Sequence, residues 1–495
     1  MIGKVWPKHP KILEINTWPW INSLSEKYNT IKLNNIPDEV FENEFKYFDV
    51  VWLMGVWERS PQGRNIAIEH PDLQEKYHNA LPNFSKDDVV GSPYSVHNYR
   101  VDSYLGGNAG LESFREKLKD CNLLLILDYV PNHVAVDHMW TLLKSDVFIK
   151  GTEGDLISRP NEFFTVVDQV YANGKDPYFP SWTDTIQINA FSSEAREKAI
   201  FTLLEIAELC DGVRCDMAML MTNKVFSQTW GERAGPAPKK EFWIEVIEAI
   251  RNKFPSFRFL AEVYWDMEWE LQQQGFDFCY DKRLYDRMIH DKPSFIREHL
   301  KAKWDYQTKL VRFIENHDEK RAVEIFGEER SKAAAIIALT LPGARLVHEG
   351  QIYGYKIKLP VQLGRRLIEE KNPDLTKFYQ ILLKAAPGRE YGAGKWTLCR
   401  VDQVSGENHS SINLIAYLWQ VNEQNLLTVV NFSPYHSQGH IRIDEIQYGD
   451  DVWNFNDLLA QKTYTYTGEL LRFYGLYIDL LPWNSHIFDI ERISS

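Results

Sequence analysis

The sequence predicts an α/β protein: a (β/α)8 TIM barrel with a small domain inserted after strand 3 and an antiparallel β-sandwich at the C-terminal end. Three observations predict it. First, four apolar runs of strand length stop at ionisable residues: Leu123 to His133 (Asp128, Asn132, His133), Asp211 to Asp216 (Arg214, Asp216), Phe259 to Glu262, and Phe313 to Asp318 (His317, Asp318). Such a run reads as a buried parallel strand delivering side chains to its C-terminal edge. Strand ends that converge on one place are how βα-barrel enzymes build their sites. Second, the connection from His133 to about Phe191 carries Gly151, Gly154, Pro160, Gly174, Pro177 and Pro180 and no strong helical pattern. Irregular excursions of that length in compact domains are usually functional. Third, after about Pro387 the pattern turns to alternating apolar segments, among them Asn413 to Trp419, Leu426 to Phe432 and Leu476 to Leu481, the texture of a sandwich.

Taken in order, the strands are expected at Lys11 to Asn16, Asp49 to Met54, Leu123 to Asp128, Gly212 to Asp216, Arg258 to Glu262, Phe276 to Cys279, Leu310 to Ile314 and Ala344 to Val347. Apolar spacing near 3.6 predicts helices between them, over Gly110 to Lys119, Ser193 to Leu209, Lys240 to Lys253 and Ser331 to Leu339. The barrel is therefore expected to occupy 1–133 and 192–386, the insert 134–191 and the sandwich 387–495. No internal repeat or low-complexity tract interrupts this order.

Composition narrows the function. A chain of 495 residues, 44% hydrophobic and 13% aromatic, has ample material for a large core. A net charge of −13 without basic runs gives no support for nucleic-acid binding. The opening residues, Met-Ile-Gly-Lys-Val-Trp-Pro-Lys-His-Pro, lack an apolar core of signal-peptide length, and no later run approaches a membrane span. A cytoplasmic protein with no membrane partner is the expectation. Cys121, Cys210, Cys215, Cys279 and Cys399 show neither metal-ligand nor redox spacing and read as small buried residues.

The order and spacing of the four segments resemble the signature segments of the α-amylase family of glycoside hydrolases. The first matches Asp with Asn-His four and five residues on, the second Gly-x-Arg-x-Asp, the third a lone strand-end Glu, and the fourth Asn-His-Asp. By that resemblance Asp216 is the nucleophile, Glu262 the general acid/base and Asp318 the transition-state stabiliser. His133 and His317 would donate to hydroxyls of the sugar, and Asp128 would support the site from beneath. Ser92-Pro93-Tyr94 resembles the stretch where a family Tyr stacks on the reacting sugar, which makes Tyr94 the candidate. The insert sits where the family carries a small domain walling the cleft, and Trp182 is expected near that cleft; Trp230, Trp243, Trp265 and Trp269 are left unranked. His348-Glu349-Gly350-Gln351 is close to a stretch in some members and is given no role.

These residue types suit glycosidic cleavage, which needs a proton on the leaving oxygen, a nucleophile at the anomeric carbon, and negative charge near an oxocarbenium-like transition state. Arg214, two residues before Asp216 on one strand, faces the same way and would keep that carboxylate ionised. Glu262, by contrast, is expected to have its proton affinity raised by negative neighbours and partial burial. The sequence also departs from the family. Met219 and Leu220 stand where many amylases have Lys-His, and Gln187 where many carry an acidic calcium ligand, so only Asn132 of that calcium set remains. The expectation is no cofactor, with calcium doubtful and no metal ligand among the site residues.

The function read from the sequence is a retaining hydrolase of α-glucosidic bonds in starch, glycogen or maltooligosaccharides. An α-glucanotransferase or branching enzyme with the same covalent intermediate is the alternative, and a non-catalytic glucan-binding barrel the reading from another class. Oligomeric state is left open.

Overall fold

A computed structural model describes residues 5–142 and 146–493 of the chain. The first four residues, part of the stretch read above for a signal segment, lie outside the described residues. Eight strands form a closed barrel: β1 (Lys11–Asn16), β2 (Val50–Met54), β3 (Leu124–Tyr129), β4 (Gly212–Cys215), β5 (Arg258–Ala261), β6 (Phe278–Tyr280), β7 (Leu310–Arg312) and β8 (Ala344–His348). Each neighbours the next in sequence, and β8 returns to β1. The pairs β2 with β3, β3 with β4, β4 with β5, β5 with β6 and β7 with β8 are parallel.

Every residue of β2, β3, β4, β7 and β8 is buried, which is why these strands read as continuous apolar runs and not as alternation. Several end earlier than the sequence predicts. Asp216, Glu262, Phe313 and Ile314 lie just past their strands, where the Asp216 N–H still reaches the Tyr129 carbonyl at 2.9 Å and the Glu262 N–H the Cys215 carbonyl at 3.0 Å. Gly212 opens β4 where a Cβ would come within 2.8 Å of the Arg258 carbonyl oxygen. At the start of β8, Gly343 has φ +101° and a Cβ there would lie 2.2 Å from the Leu310 carbonyl oxygen, so only glycine fits.

The chain divides into two compact units, one of Met1–Trp6, Leu13–Tyr280 and Ile357–Ile368, the other of Pro7–Ile12, Asp281–Lys356 and Glu369–Ser495. Within the first, the insert consists of two antiparallel ribbons, His133–Ala135 with Thr185–Gln187 and Phe163–Val166 with Gln169–Ala172, and a short helix, Glu153–Ser158. Its own apolar cluster includes Val134, Val147, Phe148, Tyr171 and Ile186. The ribbons escaped sequence reading because each strand has only three or four residues, too few to show a period.

Within the second unit, two antiparallel sheets follow the barrel segments. The strands are β9 (Lys395–Leu398), β10 (Arg400–Asp402), β11 (Leu414–Val421), β12 (Gln424–Asn431), β13 (Ser437–Arg442), β14 (Val452–Asp457), β15 (Lys462–Thr467), β16 (Leu476–Leu480) and β17 (Ser485–Ile493). One sheet runs β9-β11-β12-β17-β14-β15 and the other β10-β13-β16. Burial alternates residue by residue along β13, β14 and β16, as a half-buried strand requires, and Leu418, Leu427, Val429, Ile441, Phe455 and Ile478 are among the core between them. Among the described residues no helix is long and apolar enough to cross a membrane.

The helix Glu328–Thr340 leaves its last carbonyls without intrahelical partners. Trp419, fully buried on β11, donates its indole N–H to the Thr340 carbonyl at 2.7 Å, and Tyr417 meets the Thr340 hydroxyl at 2.6 Å. Trp419→Phe should therefore destabilise the protein by about 1–3 kcal/mol, the cost of a buried acceptor left unmet plus lost packing. Urea unfolding would check this, and an unchanged midpoint would mean the Thr340 carbonyl finds another donor.

Candidate active site

Arg214 is fully buried on β4, beside Asp128 on β3 and Leu260 on β5 in the ladder. Its Nη1 donates to Asp216 Oδ1 at 2.8 Å, and its Nη2 is ion-paired with Glu262 Oε2 at 2.7 Å. Asp128 Oδ1 stands 3.8 Å from Nη1. The guanidinium carbon lies 5.0 Å from the centroid of Tyr94, 5.4 Å from that of Trp52 and 6.0 Å from that of Tyr280, within cation–π range. Burial opposes the Arg214 charge, but Glu262, Tyr94, Tyr280 and Asp216 outweigh it and hold the group well above its usual value. It stays charged at any working pH.

The two carboxylates are held differently. Asp216 is buried with one oxygen on Arg214, and its backbone N–H donates to the Tyr129 carbonyl at 2.9 Å, fixing the turn that follows β4. Met217, next in the chain, adopts φ +41° and donates its N–H to Glu262 Oε2 at 2.8 Å. Tyr264 donates its hydroxyl to Glu262 Oε1 at 2.8 Å. The environment expected for Glu262 is thus altered: it is buried as expected, but a cation and a backbone N–H sit on Oε2. The Tyr264 hydroxyl can donate or accept, so Oε1 is the oxygen able to carry a proton.

Asp128 is buried on β3. Its Oδ1 accepts the Trp52 indole N–H at 3.2 Å, its Oδ2 the Gly55 N–H at 2.9 Å, and its carbonyl the Trp57 indole N–H at 2.8 Å. It joins the ends of β2 and β3. His133 is buried, packs on Trp182 with ring centroids 5.1 Å apart, and bonds the Tyr94 backbone. Burial lowers its pKa to about 4. Of the unranked tryptophans, Trp243 is fully buried and donates to the Ala218 carbonyl, whereas Trp269 is half exposed and Trp265, at φ +64°, meets Tyr178 edge-on at 4.9 Å.

In the other unit, Asn316, His317 and Asp318 follow β7. Asn316 Oδ1 accepts the N–H groups of Asp318 and Glu319, both at 2.9 Å, and His317 Nε2 lies 2.9 Å from Asp318 Oδ2. The His317 side chain is buried, whereas that of Asp318 is 42% exposed.

The α-amylase calcium site can be tested on the residues present. Gln187, fully buried, donates Nε2 to the Asn132 carbonyl, Asn132 Oδ1 and the Ile188 carbonyl, each at 2.9 Å, and its Oε1 accepts from Asn132 Nδ2 at 3.2 Å. The two amides bond each other face to face. Calcium requires several converging oxygens, usually with charge; here an NH2 group occupies the centre and the side-chain oxygens are engaged, so these residues do not fit the ion. Among the described residues no group of three His, Cys, Asp or Glu side chains could hold a metal. Met219 and Leu220 are buried in a short 3-10 turn.

No family profile matches the chain. The α-amylase MalA of Haloarcula japonica is 24% identical over 294 residues, 56% of this chain and 38% of that one. The chain spans about half or less of the length of the curated relatives it matches. Among solved structures, the noncanonic maltogenic α-amylase AmyB of Thermotoga neapolitana has a TM-score of 0.65 at 18% identity, covering 97% of this chain and 98% of that one. The α-amylase of Geobacillus thermoleovorans, solved with acarbose, has a TM-score of 0.66 at 16% identity and 98% coverage of both. This is the fold of the α-amylases, and the chain resembles that family in sequence as well. Against the α-amylase pattern, Trp52, Tyr264 and Tyr280 went unnoticed in the sequence although they touch Arg214 or Glu262. Tyr264 carried a signal, lying two residues beyond the strand-end Glu262; Trp52 and Tyr280 are indistinguishable from core aromatics.

Two outcomes follow from this geometry. Melting temperature should be unchanged by exhaustive EDTA treatment, whereas Gln187→Glu, which sets a carboxylate against Asn132 Oδ1, should lower it; a chelator-induced drop restored by calcium would locate an ion elsewhere. His133 is the second case. Its folded pKa of about 4 lies below the ordinary 6.5, so the unfolded chain binds the extra proton and stability is lost as pH falls from 6.5 towards 4. Between pH 7 and 4.5 this group should remove about 2 kcal/mol. Thermal melts of His133→Gln should show a smaller loss over that range, and an equal loss would assign the acid sensitivity to other groups.

Proposed function

We propose that the chain is a retaining glycosidase acting on α-glucosidic bonds, α-1,4 bonds of starch- or glycogen-type glucans or maltooligosaccharides above all. One observation carries the reading: two strand-end carboxylates, Asp216 and Glu262, share a single buried guanidinium. Structural ion pairs rarely place two acids on one base at the open end of a barrel, and perturbed charge clusters of this kind mark functional sites.

In this reading Asp216 attacks the anomeric carbon while Glu262, protonated on Oε1, gives its proton to the departing oxygen. Glu262 then takes a proton from the incoming water as that water displaces Asp216. Arg214 keeps Asp216 anionic and unprotonated, which a nucleophile requires. The shift of charge between Asp216 and Glu262 takes place around a fixed cation, so little reorganisation is needed. Asp318, whose side chain is the more exposed, binds sugar hydroxyls and stabilises the transition state, with His317 oriented by it. Tyr94 and His133 are assigned to the reacting sugar and the insert 134–191 to a wall of the cleft. Among the described residues the five cysteines, four buried and one exposed, form no disulfide, which suits a reducing compartment such as the cytoplasm.

Asp216→Asn, Glu262→Gln and Asp318→Asn should each keep the fold and lower turnover by about a thousandfold or more, as groups acting as a unit do. Near wild-type turnover in a stable variant would remove that residue from the mechanism. Two displacements in sequence preserve configuration, so proton NMR of the first product released from maltoheptaose should show the α-anomer before mutarotation. An initial β-anomer would overturn Asp216 as nucleophile.

A further inference from the structure

The segment from Glu315 to Ala322 is a loop closed at its base by side chains. Glu315 and Arg321, at its two ends, are both buried; Arg321 Nη1 donates to Glu315 Oε1 at 2.6 Å, and Glu315 Oε2 accepts the Ala322 N–H at 2.6 Å. His348, the last residue of β8, brings its Nδ1 to 3.1 Å from Glu315 Oε1 and 2.8 Å from Arg321 Nη1. Arg321 Nη1 also donates to the Glu349 carbonyl at 2.8 Å. The stretch His348-Glu349, conspicuous in the sequence but without an assigned use, therefore bolts this loop to the end of the eighth strand. Asp318 stands at the apex of the loop, with Asn316 Oδ1 capping its N–H and that of Glu319 and Lys282 ion-paired with Glu319 at 3.1 Å.

A carboxylate in the middle of an irregular loop would sample many positions, yet catalysis needs it held within about half an ångström. The buried pair costs more to desolvate than a hydrophobic contact would, so its presence beneath a partly exposed acid calls for a use other than stability. We infer that Arg321, Glu315 and His348 form a clasp whose task is to position Asp318, which makes His348 and Arg321 positioning residues of the proposed reaction. The inference rests on the reading of Asp318 as a group that meets the sugar.

A double-mutant cycle on an aryl α-maltooligosaccharide tests it. His348→Ala should lower kcat at least tenfold with KM within about twofold, and His348→Asn, whose amide can replace Nδ1, should recover most of the loss; a purely structural change would lower the active fraction of both alike. In an Asp318→Asn background, His348→Ala should cost less than twofold further. An unchanged kcat in His348→Ala, or losses that multiply fully with Asp318→Asn, would overturn the clasp. Near wild-type activity in Asp318→Asn alone would instead overturn the reading of Asp318 itself. If His348→Ala does not fold, Arg321→Lys, which keeps the charge but moves the donor that Glu315, His348 and Glu349 share at Nη1, enters the same cycle with the same criteria.

Discussion

One buried cation, the Arg214 guanidinium, organises the first unit. A lone guanidinium with no access to water would cost many kcal/mol; Arg214 persists because Asp216 and Glu262 meet it directly and Asp128 lies behind. The dependence is mutual. Without the cation, two buried carboxylates on adjacent strands would repel, and one would take up a proton or turn outward. The faces of Trp52, Tyr94 and Tyr280 complete the shell by offering negative quadrupole where no further acid stands. The positions of Asp216, Glu262 and Tyr94 are thus consequences of where β4 places residue 214.

That same shell marks the limit of what the chain discloses as text. The eight strands and the helix Ser193–Leu209 were legible because buried parallel strands are uninterrupted apolar runs and long helices repeat many times. Asp216, Glu262 and Asp318 were legible because polar residues stand out at the ends of such runs. Aromatic partners do not stand out: Trp52 within Val-Val-Trp-Leu-Met has the same look whether it packs or binds. The hydrogen bonds on Glu262 were hidden for another reason, since Met217 contributes a backbone N–H and its side chain says nothing of it.

The second unit solves a different problem. Its acid, Asp318, is the more exposed, and what surrounds it is a local frame of backbone and side-chain bonds in place of a deep charge cluster. The Arg214 cluster of the first unit answers to changes of charge, and the frame around Asp318 in the second to changes of shape.

The paired amides of Asn132 and Gln187 carry a consequence beyond their own geometry. A wall pinned by a bound ion is only as firm as the ion is abundant, because its stability rises and falls with free concentration by mass action. A ribbon pinned by amide hydrogen bonds, as at Asn132 and Gln187, has no such variable, and chelators leave it as it was. Free ion concentration cannot loosen it, although protonation of the neighbouring His133 still can. The Asn132–Gln187 pair thus gives this ribbon a stability set by acidity and temperature and not by the supply of an ion.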